Sequence, residues 1–364
     1  MSASPTPAPD LTTDKPPRPR RWIPLSLRMF VGLLGLLSIT AGLLIGVPAY
    51  WQYVAIREIE GAGGEVYLLP RGPTWLRNSA IDAWMAPFDE LFGVNLNNTQ
   101  AGDATLKYVS RLSDVDRVFV ENTQITDAGL AHLKGLSRLW WLRLDDTQIG
   151  DSGLAHLRGL TSLKDLYLNN TKVTDAGVAE LKWLTRLERL SLKNTALTDT
   201  GVAYLGSLTG LRGLWLDGTQ IAGSGLPQPQ KWPVLYVLSL NKTRITDAEI
   251  PGVKRLTTVW GLLLSDTRVS DVGLAHLNGM SNLIVLHLDN VALTDAGLEH
   301  LEGFTRLEDL SLKGTSVSDA GILHLKGLSS LRTLSLQNTQ VTDEGVAELQ
   351  QWRTKNPPLT ISRE

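Results

Sequence analysis

The sequence predicts an α/β solenoid, a horseshoe whose parallel strands line the concave side and whose short helices form the convex side, preceded by one transmembrane helix. Three observations carry this reading. A leucine-built segment recurs every 24 residues from Val94 to about residue 350. Within each unit the apolar residues first alternate, as along a strand, and then fall at helical spacing. Ahead of the units no charged residue occurs between Arg28 and Arg57, and Met29 to Val47 is rich in Leu, Ile, Val and Gly. Because repeats take precedence over length in deciding organisation, the 364 residues are read as one array rather than as two or three globular domains.

Taken from the N-terminus, residues 1–24 form a tail expected to be disordered and basic. Met1 to Lys15 is mostly Ser, Thr, Pro, Ala and Asp, which bury too little apolar surface to offset the entropy of ordering, and Arg18, Arg20 and Arg21 follow. Residues 25–51 are the expected transmembrane helix, since about 20 apolar residues span a hydrocarbon core of about 30 Å. Trp22 before it and Tyr50, Trp51 and Tyr53 after it suit rings at the headgroup level. The arginines on its N-terminal side direct that end to the cytoplasm and leave the repeats external or periplasmic. Val47-Pro48-Ala49 is a passable signal cleavage site, but the apolar stretch exceeds the usual signal core of roughly 7–15 residues, so an anchor is expected. Ser38, Gly42 and Gly46 fall four apart and offer a face for a homodimer. Residues 52–92 are the juxtamembrane N-terminal cap: a helix continuing into Gly63-Gly64, a strand at Glu65 to Leu69, and an apolar helix near Trp75 to Trp84.

Residues 93–350 repeat the pattern L-x-x-L-x-L-x-x-T-x-[IV]-T-D-x-G-[LV]-x-x-L. The L-x-L pair, such as Leu142 and Leu144, is a short strand with leucines inward and the middle residue outward. The threonine from Thr99 to Thr339 sits where a turn leaves the strand, and its hydroxyl is expected to satisfy backbone groups there; Val291 breaks that column. The Thr-Asp pair, as in Thr126-Asp127, caps a short helix whose leucines turn inward. The aspartate recurs from Asp103 to Asp343 and is lost once, at Gly223, beside Pro227 and Pro229. With Pro251 in the following unit, these prolines are expected to turn the outer wall into loop while the sheet keeps its register, making a convex docking loop or a bend. No unit stands alone, so the array needs ends. Residues 351–364 abandon the period and form the C-terminal cap, closing on a strand around Leu359-Thr360-Ile361.

This leucine-rich repeat, written out at Thr126-Asp127-Ala128-Gly129-Leu130-Ala131-His132-Leu133, resembles the threonine-aspartate-glycine repeats of proteins found in multiple copies in planctomycete-like bacteria. The likeness covers 94–350 closely, and Ile59, Gly63-Gly64, Val66-Tyr67 and Trp75-Leu76 look like the cap such proteins carry after a membrane helix. More distantly the units are similar to the cysteine-containing repeats of F-box substrate receptors, with threonine for cysteine and without the F-box module. The resemblance implies a right-handed solenoid with a parallel concave sheet, and it points to no particular ligand, since most such proteins have none established.

Outward strand positions are the ones the framework leaves free. Aromatic and charged residues concentrate there at Phe119, Trp141, Arg143, Asp145, Tyr167, Asn169, Lys193, Trp215 and Asp217, while later units show mainly small polar residues. Aromatic anchors interleaved with Arg and Asp suit a protein partner. The same rings would stack on sugars, so a cell-envelope glycan is the alternative ligand, and an F-box-like substrate-recognition adaptor inside the cell is a third reading. The plain alternative is that the rings shield the sheet. A balance of 35 basic and 37 acidic residues gives no field for nucleic acid. Without cysteine, disulfides and thiolate chemistry are excluded. His132, His156, His276, His300 and His324 share a column by repetition, so no metal site and no cofactor is assigned. Paired carboxylates on the concave face, Asp145 with Asp217 for example, are of the type that hydrolyses sugars, but repeats generate such pairs and an open sheet encloses little, so no enzyme is expected.

Overall fold

The computed structural model describes residues 25–70, 89–112, 114–352 and 359–363. The predicted tail over 1–24 and the predicted helix near Trp75 to Trp84 lie outside the described residues. The chain divides into two units, Met1–Tyr50 and Trp51–Glu364.

In the first unit Leu25–Ala41 is α-helical and Gly42–Gly46 forms a π turn, after which helix resumes at Val47 and runs to Gly61 in the second unit. Among the described residues, Met29–Gly61 is the one helix long and apolar enough to cross a membrane. Phe30, Leu34, Leu37 and Leu44 on it are exposed. Ser38 and Thr40 spend their hydroxyls within the helix, on the Leu34 and Leu36 carbonyls at 2.8 and 2.7 Å. A side chain at Gly42 or Gly46 would meet open space.

The second unit is a sheet of 13 strands in sequence order. Strand β1 (Glu65–Leu69) lies antiparallel to β2 (Glu90–Asn95), and every later pair is parallel. The repeats contribute β3 (Arg117–Phe119), β4 (Trp141–Arg143), β5 (Asp165–Tyr167), β6 (Arg189–Ser191) and β7 (Gly213–Trp215). They continue with β8 (Val237–Ser239), β9 (Gly261–Leu263), β10 (Val285–His287), β11 (Asp309–Ser311) and β12 (Thr333–Ser335), and β13 (Thr360–Ser362) closes the sheet in parallel on β12. Each strand is as short as the L-x-L signal, because three residues complete one rung before the turn must begin. The leucines of those rungs, and those of the helical wall, form one core running the length of the array, with Leu142, Leu144, Leu154 and Leu157 fully buried.

Three polar ladders tie unit to unit or close each turn. The motif threonines from Thr99 to Thr339 donate their hydroxyls to the carbonyl three residues earlier at 2.6–2.8 Å, satisfying a turn acceptor that the core hides from water. Val291 stands buried in the gap of that column. Just before each such threonine is a left-handed residue: Asn98, Asn122, Asp146, Asn170, Asn194, Lys242, Asp266 and Asn338 with φ of 53–59°, and Gly218 and Gly314 with φ of 70° and 65°. Asn and Asp tolerate this conformation, and the asparagines also bond their neighbours 24 residues away, as Asn170 Nδ2 to Asp146 Oδ1 at 2.8 Å.

The Thr-Asp pair divides its labour differently from the predicted joint cap. Thr126 caps its own helix, accepting from Ala128 N–H. The aspartate instead reaches the next unit: Asp103 accepts Thr126 N–H at 2.8 Å and its hydroxyl at 2.7 Å, and Asp151 does the same for Thr174 at 2.7 Å each. This explains the motif glycine, since a Cβ on Gly129 would stand 2.4 Å from Asp103 Oδ1.

The irregular unit keeps the sheet in register, Leu214↔Leu238 and Leu238↔Leu262, as predicted from its strands. The loop in the wall is narrower than the prolines suggested. Residues 222–228 are non-helical, but Asp247–Glu249 and Ile250–Lys254 are helical turns, because Pro251 falls in a first turn where its missing N–H has no helical partner to lose. Trp232 fills the space behind the loop, fully buried, and donates its indole N–H to the Leu205 carbonyl at 3.1 Å.

Candidate functional site

Parallel register places Phe119, Arg143, Tyr167, Ser191 and Trp215 in one row across β3 to β7, beside a second row of Arg117, Trp141, Asp165, Arg189 and Gly213. Their neighbours along each strand are the buried leucines, so period two turns both rows to the open face of the sheet.

The rings collect at the N-terminal end. Phe119 meets Trp141 edge-on at 4.9 Å between centroids, and Trp141 lies 5.6 Å from Trp140. Arg117 sits between Trp140 (5.1 Å) and Phe92 (5.3 Å), and Phe92 stacks on Tyr67 at 5.9 Å. The aromatic ribbon therefore continues from the repeats into the cap. Trp140, Phe92 and Tyr67 escaped the sequence reading because they lie just before a strand triplet or in the cap, outside the free positions of the repeat, while Arg117, in register with Trp141, was missed at a free position; the signals available were the adjacent pair Trp140-Trp141 and that register. Trp141 Nε1 is buried and has no hydrogen-bond partner among the described residues. Trp215 stands apart: Ser191 separates it from Tyr167, and its ring covers Gly213, where a Cβ would come within 2.5 Å of it.

The charged residues of the face are mutually satisfied. Arg143 bonds Asp145 Oδ2 at 3.2 Å and Glu121 Oε2 at 3.1 Å, and its guanidinium lies 5.5 Å from the Tyr167 ring centre. Arg189 pairs with Asp165 at 3.1 Å, and Lys193 with Asp217 at 2.8 Å. Of the predicted contacts, Asp145, Asn169 and Asp217 turn toward the next unit. Asp145, 2% exposed, accepts Asn169 N–H at 2.9 Å; Asn169 Oδ1 accepts Lys193 N–H at 2.9 Å and the Ser191 hydroxyl at 2.6 Å; Asp217 accepts Asn241 N–H at 3.1 Å and the Ser239 hydroxyl. Burial pushes the Asp145 carboxyl above its ordinary value, against the Asn169 N–H and Arg143, which pull it down. Burial likewise raises Asp165, against Arg189, and raises the Tyr167 hydroxyl, helped by Asp165.

Asp145 and Asp217 lie three strands apart, about 14 Å at the usual strand spacing. That exceeds the roughly 6.5–9.5 Å of a carboxylate pair flanking a glycosidic bond. On the helical wall His324 Nδ1 lies 3.2 Å from Glu302 Oε1, and among the described residues no three His, Asp or Glu converge.

Strand, turn and helical wall repeated in register define a leucine-rich-repeat solenoid. A family model described as "Leucine Rich repeat" matches residues 327–349. Of solved structures, an internalin of Listeria monocytogenes is similar over 71% of this chain and 78% of its own, at 23% identity and a TM-score of 0.53. A leucine-rich-repeat protein of Leptospira interrogans aligns over 70% of this chain and 74% of its own, at 18% identity and a TM-score of 0.44. No curated protein matches the sequence.

Proposed function

We propose that the chain is a membrane-anchored interaction module that captures a protein partner on the open face of its sheet, over repeats two to six. The observation that carries this reading is the ribbon of Phe119, Trp141 and Trp140 with Arg143 against Tyr167, a large rigid surface of contiguous rings, whereas the exposed Tyr236 and Trp260 of later units stand among mainly small polar residues. Aromatic and arginine side chains of this kind dominate binding energy where a partner excludes water from them. The paired charges add a constraint: with Arg143, Arg189 and Lys193 already neutralised, the partner meets a face of little net charge, and its affinity depends weakly on salt. The uncovered apolar side chains of Met29–Leu44 support a lipid anchor, and the basic N-terminal flank supports repeats on the external or periplasmic side.

The test is affinity capture by the full chain in detergent, run beside a Trp141→Ala, Tyr167→Ala, Trp215→Ala variant whose fold is verified by circular dichroism. A protein retained by the parent and lost by the variant supports the reading; equal retention by both removes the open face from it, and retention of polysaccharide alone favours the glycan ligand. Protease protection in cells whose outer envelope is permeabilised and whose inner membrane is intact reports sidedness, and digestion of the repeats only after the inner membrane is lysed contradicts the external or periplasmic orientation.

A further inference from the structure

A second surface lies on the helical wall beside the irregular unit. Where that unit loses its helix, a groove of about 580 Å³ opens between the helix Asp199–Leu205 and the loop through Pro227. Its rim carries Tyr204, 48% exposed, in a column that is His at His132, His156, His276, His300 and His324 and Tyr at Tyr108. Trp183, 52% exposed, follows the lining residue Lys182 and stands where Gly135, Gly159 or Gly279 stand in other units. Core packing uses neither ring. Lys182, its ammonium 5.3 Å from the centre of the Trp183 ring, and Lys231 line or border the same groove. Neither lysine has an acidic partner among the described residues, because the local acids are engaged: Glu180 holds Arg158, and Asp199 holds Gly223 N–H at 2.8 Å and the Ser224 hydroxyl at 2.7 Å.

We propose that this groove is a docking site for an acidic peptide segment of a protein partner, one carrying an aromatic or leucine anchor between its carboxylates. Tyr204 and Leu226 supply apolar lining, Trp183 extends apolar surface beside Lys182, Pro227 holds the loop open at small entropic cost, and the two ammonium groups without an acidic partner select negative charge. The site differs from the open sheet face in that its cations are free, so binding here weakens as salt rises. It does not depend on the reading of the sheet face.

The experiment is selection of random 12-residue peptides displayed on phage against the full chain in detergent micelles. The expected result is enrichment of Asp and Glu around one aromatic or Leu. Synthetic copies of the selected peptides should lose at least tenfold in affinity on Lys182→Glu with Lys231→Glu, and similarly on Trp183→Ala with Tyr204→Ala, while the Trp141→Ala, Tyr167→Ala, Trp215→Ala variant binds them as the parent does. All four groove residues are solvent-facing, and circular dichroism verifies each variant. Selection of no peptide, of peptides without acidic enrichment, or of peptides indifferent to both groove variants overturns the proposal. So does loss of binding in the sheet-face variant alone.

Discussion

Replacing Gly129 by alanine tests the ladder that joins the units. The new Cβ would stand 2.4 Å from Asp103 Oδ1 and 3.1 Å from its Cγ, so the carboxylate must leave. Leaving breaks its bonds to Thr126 N–H at 2.8 Å and to the Thr126 hydroxyl at 2.7 Å, both partly buried. A buried donor stripped of a charged acceptor costs about 1–3 kcal/mol, while alanine in a helical turn regains up to about 1 kcal/mol over glycine. The net is about 2 kcal/mol, or about 30-fold in the local opening constant. Hydrogen–deuterium exchange of the full chain in micelles reads it at residues 124–130. The decisive comparison is a double-mutant cycle, because Asp103→Ala removes the carboxylate and leaves only Ile125 Cγ2, 3.2 Å from the new Cβ, to give by a few tenths of an ångström, so most of the cost of Gly129→Ala should disappear. An undiminished cost of Gly129→Ala in the Asp103→Ala background would refute the reasoning.

Two further outcomes follow from the same geometry. Val291→Thr restores the missing hydroxyl of the turn ladder and is expected to gain about 1 kcal/mol in denaturant unfolding; a loss would mean the site prefers its methyl to a hydroxyl. Asp145 has its carboxyl raised by burial, so the folded chain holds that proton to higher pH than the unfolded one, and its contribution to stability falls as pH rises from the unfolded value of about 4 through the raised folded value. Asp145→Asn removes that titration, so the variant should gain on the parent as pH rises across this window; a difference independent of pH would place the Asp145 carboxyl at its ordinary value.

The strand triplets, the inward leucines and the turn threonine were legible because a residue repeated every 24 positions in a solenoid must serve the same local purpose each time. What a period does not show is which neighbour a side chain bonds. Asp103 looks like part of its own helix cap, yet its acceptors face Thr126, and Gly129 looks like a helix breaker until the carboxylate beside it is seen. Asp145, Asn169 and Asp217 read as ligand contacts for a related reason. They sit where a strand ends and the next unit presents an unpaired backbone N–H, so they spend their oxygens there. In the opposite sense, Trp140 and Arg117 lie at the edge of the strand triplets, where side chains from successive units and from the cap meet. Trp183 departs visibly from the glycine of its column, and Tyr204 shares its column with Tyr108, but only the missing wall helix gives Tyr204 a groove to line.

The most direct test of the central claim is photo-cross-linking in the producing cell with a benzophenone side chain at Tyr167 on the sheet face, compared with Val272, which is 58% exposed on the helical wall far from either proposed surface. The account predicts a discrete protein adduct at Tyr167 and none at Val272. The same adduct at both positions, or adducts at Val272 alone, would contradict it.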